Sequence, residues 1–429
     1  MRNRPASAWK RLIWLALVSS TAALPQLAIT QVSVSTFGAK CDWNGTNGTD
    51  DTVAFNSAAA AANKAYVATG APTSLVLVPG RSCLIAGTVN LGSGVIVDGP
   101  GTLVVPGVQT GPILQFLNAD HSGVQNVMID ILNTTKLNNP YLAAVLWIDT
   151  KGDSSAHSYF FARGNTIQNG SYGISVFSSI GTGSLQDVDI SGNSVTSSAV
   201  YTNSDGIHVG GNVHGINIRG NRVSNRGDAA VGLTSGPGPE RTLSGAVVSE
   251  NICLNDLVGL DNSGGTNAIW SNNYVSATAP ASKSSNPAAR SMTFIGITPV
   301  NVKFIGNYLQ NYQGTETDVA AKTDDAGSNQ ITGVEWTGNT IVGSAAMWLA
   351  ANTAAVHDNY FSPGATILVE YDGVNNYPGQ NIVIGPNYWM GSGTISAPGN
   401  PGLYFNNSVA EQHANGIVTI VGKHNFKKS

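Results

Sequence analysis

The chain has 429 residues, 11% of them charged, with 50 glycines and 42 asparagines, against about 25% charged and about 7% glycine in an average soluble protein. Its 21 Lys and Arg against 25 Asp and Glu give a net charge of −4, which argues against a basic nucleic-acid binder and against a coiled coil with charged flanking positions. With 42% apolar residues it is not a disordered acidic chain either, which leaves a large β-rich globular protein turned by Gly and Asn.

Residues 1–28 read as a secretory signal. Arg2, Arg4, Lys10 and Arg11 form a basic start, Leu12 to Leu24 an apolar run, and Thr21-Ala22-Ala23 and Gln26-Leu27-Ala28 offer cleavage sites with a small last residue. The alternative is an uncleaved anchor, although the run is shorter than the ~20 residues of a membrane span. No later apolar run is long enough to cross a membrane, so the expected location is secreted or periplasmic. Export permits disulfides. Cys41 and Cys83 share the N-terminal stretch and are expected to pair, leaving Cys253 as core filler; three buried thiols are the alternative. Asp50-Asp51 then open an Ala-rich segment, and a helix is expected over about residues 52–68. It would cover strand edges that otherwise invite aggregation.

Beyond the helix one pattern recurs: an apolar residue, a short turn, Asn, one residue, and another apolar residue. Its asparagines are Asn165, Asn193, Asn221, Asn251, Asn273, Asn307, Asn339, Asn359 and Asn387, spaced by 28, 28, 30, 22, 34, 32, 20 and 28 residues. Between them lie short alternating β-branched runs and no helical periodicity. Repeats of this length built from two or three strands predict one parallel β-helix over residues 31–429, with about 12 coils. The asparagines would form a ladder at one turn, each amide bonding backbone in the neighbouring coil.

The N-terminal segments VSTFGAK, GTDDTVAFNSAAAAA and LVLVPGRSCLIAGTVNLGSGVIVDGPGTL, within about residues 33–105, resemble the opening of the pectate-lyase superfamily. That superfamily consists of right-handed parallel β-helices and includes polygalacturonases, rhamnogalacturonases and phage tailspikes. The resemblance implies the fold and not a reaction.

The middle coils carry the acidic residues of interest. Aligned by aliphatics, Ile174, Ile207, Val231 and Val258 form one column. Ser175, His208, Gly232 and Gly259 follow them and point outward, so His208 stands over a glycine floor. Asp205, Asp228 and Asp256 lie just before these strands. With coils ~4.8 Å apart, the three could converge on one face, as glycosidic hydrolysis requires: one carboxyl protonates the leaving oxygen and another activates water. The competing roles are turn-forming and Ca²⁺ ligation.

NSDGIHV (203–209) and RGDAAVGLTSG (226–236) resemble the two acidic motifs of polygalacturonases. The resemblance implies Asp228 as general acid and Asp205 as part of the water-activating pair. Ala229 stands where that family has a further carboxylate; its glycine-flanked histidine and its Arg-x-Lys clamp have no counterpart. Asp256, from the next coil, is the expected replacement for the lost carboxylate. Candidate substrate-binding groups are His208, Arg226, and Lys283 and Arg290 from an inserted loop, residues 276–290. Arg226 could hold a uronate carboxylate in bidentate fashion, with solvated turn arginines as the alternative for its neighbours Arg219 and Arg222. His121, His157, His357, His413 and His424 lack metal-ligand spacing, and Tyr172, Trp270 and Trp336 suit buried ladder positions better than sugar stacking. No cofactor or metal is expected for a hydrolase.

The leading expectation is thus a polygalacturonase-like hydrolase acting on a polyuronide. A Ca²⁺-using lyase or epimerase and a non-catalytic glycan-binding β-helix are the alternatives; the altered motif set favours the last.

Overall fold

The computed structural model describes residues 30–428, apart from 109–110, 134–143, 151, 179–182, 199–203, 236–242, 278–287, 293–296, 312–318, 325–330, 344, 370, 373–376, 379–380, 398–406 and 423–425. The expected signal and Lys283 lie outside the described residues. The chain winds as a right-handed parallel β-helix. One sheet holds thirteen parallel strands in chain order, one per coil. The remaining parallel strands form two runs that meet at the long strands Val95–Val105 and Ser122–Ile131, each of which pairs with both. Later coils bend between those runs, as where Ala156–Arg163 is followed by Thr166–Gln168.

The bend sits at the repeated Asn. In all but the last of the nine, where Pro386 precedes Asn387, the preceding residue is left-handed, with φ near +60° at Gly164, Gly192, Gly220, Gly306 and Gly338. Glycine adopts that conformation without a steric penalty. Glu250, Asn272 and Asp358 occupy the equivalent place with positive φ. All nine asparagines are at most 2% exposed. From Asn165 to Asn359, each Nδ2 donates to Oδ1 of the next Asn at 2.9–3.0 Å. The same oxygen accepts the preceding ladder residue's backbone N–H, as Asn251 Oδ1 does from Asn221 at 2.9 Å. Asn387 ends the run on Gln412 Oε1 at 3.2 Å.

Inside the coils the aliphatics stack in columns, joined by an aromatic stack of Trp270, Phe304 and Trp336. The helix α1 (Thr52–Thr69) lies over the first coil with Phe55, Ala58, Ala59 and Ala62 buried, and Gly70 closes it in the left-handed conformation. Asp51, at its N-cap, accepts from the amides of Lys40 and Cys41 instead of capping the helix. Asn56 and Asn63 bond the backbone of Thr88, Asn90 and Ser93, so the helix satisfies part of the edge presented by the first strand of the thirteen-stranded sheet, Val89–Leu91. A disulfide joins Cys41 to Cys83, and Cys253 is a free, buried thiol. Among the described residues no helix is long and apolar enough to cross a membrane.

Two expected outcomes follow. Asn251→Ala strands the Asn221 donors that Asn251 Oδ1 accepts and removes the amide from Ile218 O and Asn273 Oδ1, so it should lower unfolding stability by about 2–4 kcal/mol. The exposed Asn217→Ala should cost no more than about 0.5 kcal/mol. Equal denaturation midpoints for the two variants would contradict the ladder's role. Reducing Cys41–Cys83, 42 residues apart, frees a loop whose closure is worth about 4 kcal/mol by chain entropy. An unchanged midpoint after reduction would show that the first coil does not depend on it.

Candidate active site

Six successive strands of the thirteen-stranded sheet build the site: β1 (Ala144–Asp149), β2 (Tyr172–Phe177), β3 (Ile207–Gly210), β4 (Ala229–Thr234), β5 (Val258–Ser263) and β6 (Ala289–Met292). Register pairs Ile174 with Ile207 and Ile207 with Val231, so those side chains share an inward column. The following residues face outward: Trp147, Ser175, His208 and Gly232.

At the next coil the register departs from the sequence expectation. Val231 pairs with Leu260, and Val258 with Ala229. The outward residue beyond Gly232 is therefore Asp261, not Gly259, and the next is Arg290. Matching valine to valine misplaced this coil by two residues. The true register puts Asn262 in the apolar column beside Leu233, which an apolar match rejects. Asn262 is tolerated there because its Nδ2 donates to Gly265 O and Ser291 Oγ at 3.1 and 3.2 Å.

Asp205, on the turn before β3, is 6% exposed, and its carboxylate lies beside the outward His208 despite strand parity. Its Oδ2 accepts from His208 Nδ1 at 2.6 Å and its Oδ1 from the Ala229 amide at 2.9 Å. That bond leaves His208 Nε2 directed away from the carboxylate. Gly232 leaves room beneath: a Cβ there would stand 3.2 Å from Asp205 Oδ2, a tight contact. Asp228, on the turn before β4, is half-buried. Burial, then the charges of Asp205 and Asp261, push its carboxyl up to about 7, against the opposing pull of Arg290 and His208. Arg290 grips Asp261 in bidentate fashion, Nε to Oδ1 at 2.9 Å and a terminal nitrogen to Oδ2 at 2.6 Å. Ser263 Oγ adds a third bond to Asp261 at 2.7 Å. Arg290 thus belongs to a strand of the site floor rather than to an overhanging loop.

Two expected site residues lie beneath this surface. Arg226 is fully buried. One of its terminal nitrogens donates to Gly170 O and Asp205 O at 3.0 Å, and also to Ser171 O. Its backbone amide donates to Asp256 Oδ1 at 2.8 Å. It fastens the turns that carry Asp205 and Asp228 and is out of reach of a uronate. Asp256 is 3% exposed, and burial pushes its carboxyl up to about 8, against the opposing pull of Arg226. The third carboxylate near the cluster is consequently Asp261, which the sequence reading missed; the signal was Leu260-Asp261-Asn262 read with the correct coil register. Tyr172, Trp270 and Trp336 are buried.

The surface so assembled carries Asp205 and His208 on one coil, Asp228 on the next, Asp261 on the third and Arg290 on the fourth. It offers a carboxyl that keeps its proton near neutrality beside a carboxylate fixed by two donors, a separation of roles suited to acid–base chemistry.

Comparison with family models and with curated protein sequences gave no match. Among solved structures, the catalytic unit of a thermostable GH87 alpha-1,3-glucanase from Streptomyces thermodiastaticus superposes with a TM-score of 0.58 at 17% identity, over 95% of this chain and 70% of that one. An exopolygalacturonase from Thermotoga maritima gives 0.51 at 15% identity, over 92% and 93%. A mutant tailspike protein of Escherichia coli bacteriophage HK620, solved with a pentasaccharide, gives 0.52 at 11% identity, over 93% and 80%. The chain therefore shares its fold with the pectin-lyase-like right-handed parallel β-helix proteins.

Proposed function

We propose that the protein is a polysaccharide-acting glycoside hydrolase in which Asp228 is the general acid and Asp205 activates water. The observation that carries this reading is the half-buried Asp228 carboxyl, held protonated to about 7 beside Asp205 and Asp261 on an outer face. In the proposed reaction Asp228 donates its proton to the glycosidic oxygen as the C–O bond breaks. Asp205 takes a proton from the attacking water, while His208 and the Ala229 amide hold its carboxylate in place. Asp261 and Arg290 hold each other and bias the field at Asp228. The fold neighbours that act on glycans support the substrate class.

The narrower, polygalacturonase-like reading rests on the motifs around Asp205 and Asp228. A uronate carboxylate would have to share Arg290 with Asp261, whereas a neutral sugar requires no such exchange, so polygalacturonate and an α-1,3-glucan belong in the same assay. Export agrees with this reading: the basic and apolar N-terminus suits a signal, and the Cys41–Cys83 disulfide suits an oxidising compartment.

Reducing-sugar release from a panel of polyuronides and neutral glucans tests the proposal. Asp228→Asn should lower turnover by ~10²–10⁴ while glycan binding persists. Asp256→Asn, beneath the surface, should leave turnover close to wild type. Retention of polymer by the wild type without release of sugar would show a binding protein, and an unsaturated product abolished by chelator would show a lyase.

A pH dependence follows. The acid form of Asp228 is lost as pH rises through about 7, so turnover should fall there. The folded state holds a proton that the unfolded chain releases near ~4, so Asp228 makes stability fall as pH rises from about 4 through about 7. Asp228→Asn should flatten that slope. An unchanged slope in thermal melts across this range would contradict the assignment.

A further inference from the structure

The outward column of the thirteen-stranded sheet continues from His208 toward the N-terminus through Ser175 to Trp147. Trp147 is only partly buried, unlike Trp270, Trp336 and Trp389, which fill the coil interior. Its ring centroid lies 6.4 Å from that of Phe177, itself half-buried, and Phe177 lies 6.3 Å from the His208 imidazole. Tyr172 meets the same imidazole edge-on at 5.8 Å. Neighbouring rings thus run from Trp147 to the histidine that holds Asp205.

Core packing does not account for Trp147 and Phe177, because neither points into the coil. The backbone also makes room for this arrangement. A Cβ at Gly210 would stand 2.8 Å from two Phe177 ring carbons and 3.0 Å from His208 Nε2, so any other residue there would displace the rings. Gln115, Trp147, Ser175 and His208 follow one another in the column and include no acid or permanent cation, and Asp149, the register partner of Phe177 on the neighbouring outward column, is 3% exposed. Such a surface suits an uncharged, flat partner. Trp147 stands two coils from His208, about 10 Å along the axis, roughly the length of a disaccharide.

We propose that Trp147 and Phe177 form a sugar-stacking subsite on the N-terminal side of the acidic cluster. It takes the apolar C–H face of a pyranose unit in the same glycan chain whose glycosidic bond reaches Asp228. This rests on the polysaccharide reading above and adds the direction in which the chain lies: along the helix axis, crossing the rings before the carboxylates. The electron-rich indole face attracts the slightly positive C–H groups, and a rigid ring loses little entropy on contact.

The test begins with affinity gels of polygalacturonate, alginate and α-1,3-glucan. Oligosaccharides of two to six units from the retained polymer are then titrated calorimetrically into Asp228→Asn protein, with and without Trp147→Ala. Trp147→Ala should weaken binding of the longest oligomers about tenfold, a stacking-sized loss, and leave the disaccharide unchanged. Trp147→Tyr should restore most of the difference, with thermal melts of the variants coinciding. Equal affinity at every length, or an equal loss at every length, would overturn the subsite. Retention by the wild type without sugar release, combined with a length-dependent loss in Trp147→Ala, would sink the hydrolase reading and uphold the subsite. Retention on none of the gels would overturn both.

Discussion

From Asn165 to Asn387, successive coils of this protein are held in register by a ladder of buried amides. An asparagine that donates to the oxygen of the one after it, and accepts from the backbone before it, cannot slide without stranding several donors inside the coil. The ladder therefore does more than end each bend. It fixes which residue of one coil lies beside which residue of the next at the ~4.8 Å strand spacing. A site composed of one or two residues from each of four successive coils depends on that alignment. A slip of two residues on one coil would put Gly259 where Asp261 stands and leave Arg290 without its acid.

The site also depends on a buried layer beneath it. Arg226 donates to the carbonyls of Gly170, Ser171 and Asp205, and its amide is held by Asp256. These bonds join four successive coils at the turns from which Asp205 and Asp228 emerge. A buried guanidinium is costly unless it is bonded; carbonyls of three residues bond this one, while Asp256, whose carboxyl burial pushes up to about 8, holds the Arg226 backbone amide. Above this layer, glycines keep the surface open: Gly232 gives way to the Asp205 carboxylate, and Gly210 to Phe177 and His208. Charge and space are thus arranged so that acidic groups crowd together on an outer face, where crowding and partial burial favour the protonated form of one of them.

Much of the architecture could be read from the sequence because it repeats. The nine ladder asparagines, the left-handed glycines before them and the Ile207 and Val231 column are periodic features, and period is what a single sequence displays. Asp205, Asp228 and His208 were found through their local motifs, and they lie together. What could not be read were interactions between coils without a periodic mark. Asp261 was missed because its coil carries Asn262 in the apolar column, so apolar matching preferred the wrong register. Arg226 was read as a surface cation because its three carbonyl partners lie 21 to 56 residues away in the chain. Trp147 lies on a coil that precedes the repeated Asn pattern, and nothing local marks it as outward.

The central claim is that the fold keeps Asp228 protonated near neutral pH so that it can donate to a leaving group. Carbon-13 NMR titration of aspartate-labelled protein, with Asp228→Asn and Asp256→Asn used to assign the high-pH transitions, measures this without a substrate. The account predicts a carboxyl that titrates at about 7 and vanishes in Asp228→Asn, separate from the buried Asp256 at about 8. If the resonance lost in Asp228→Asn instead titrates near ~4, as in an unperturbed side chain, Asp228 is ionised at neutrality and the assignment of the proton donor is wrong.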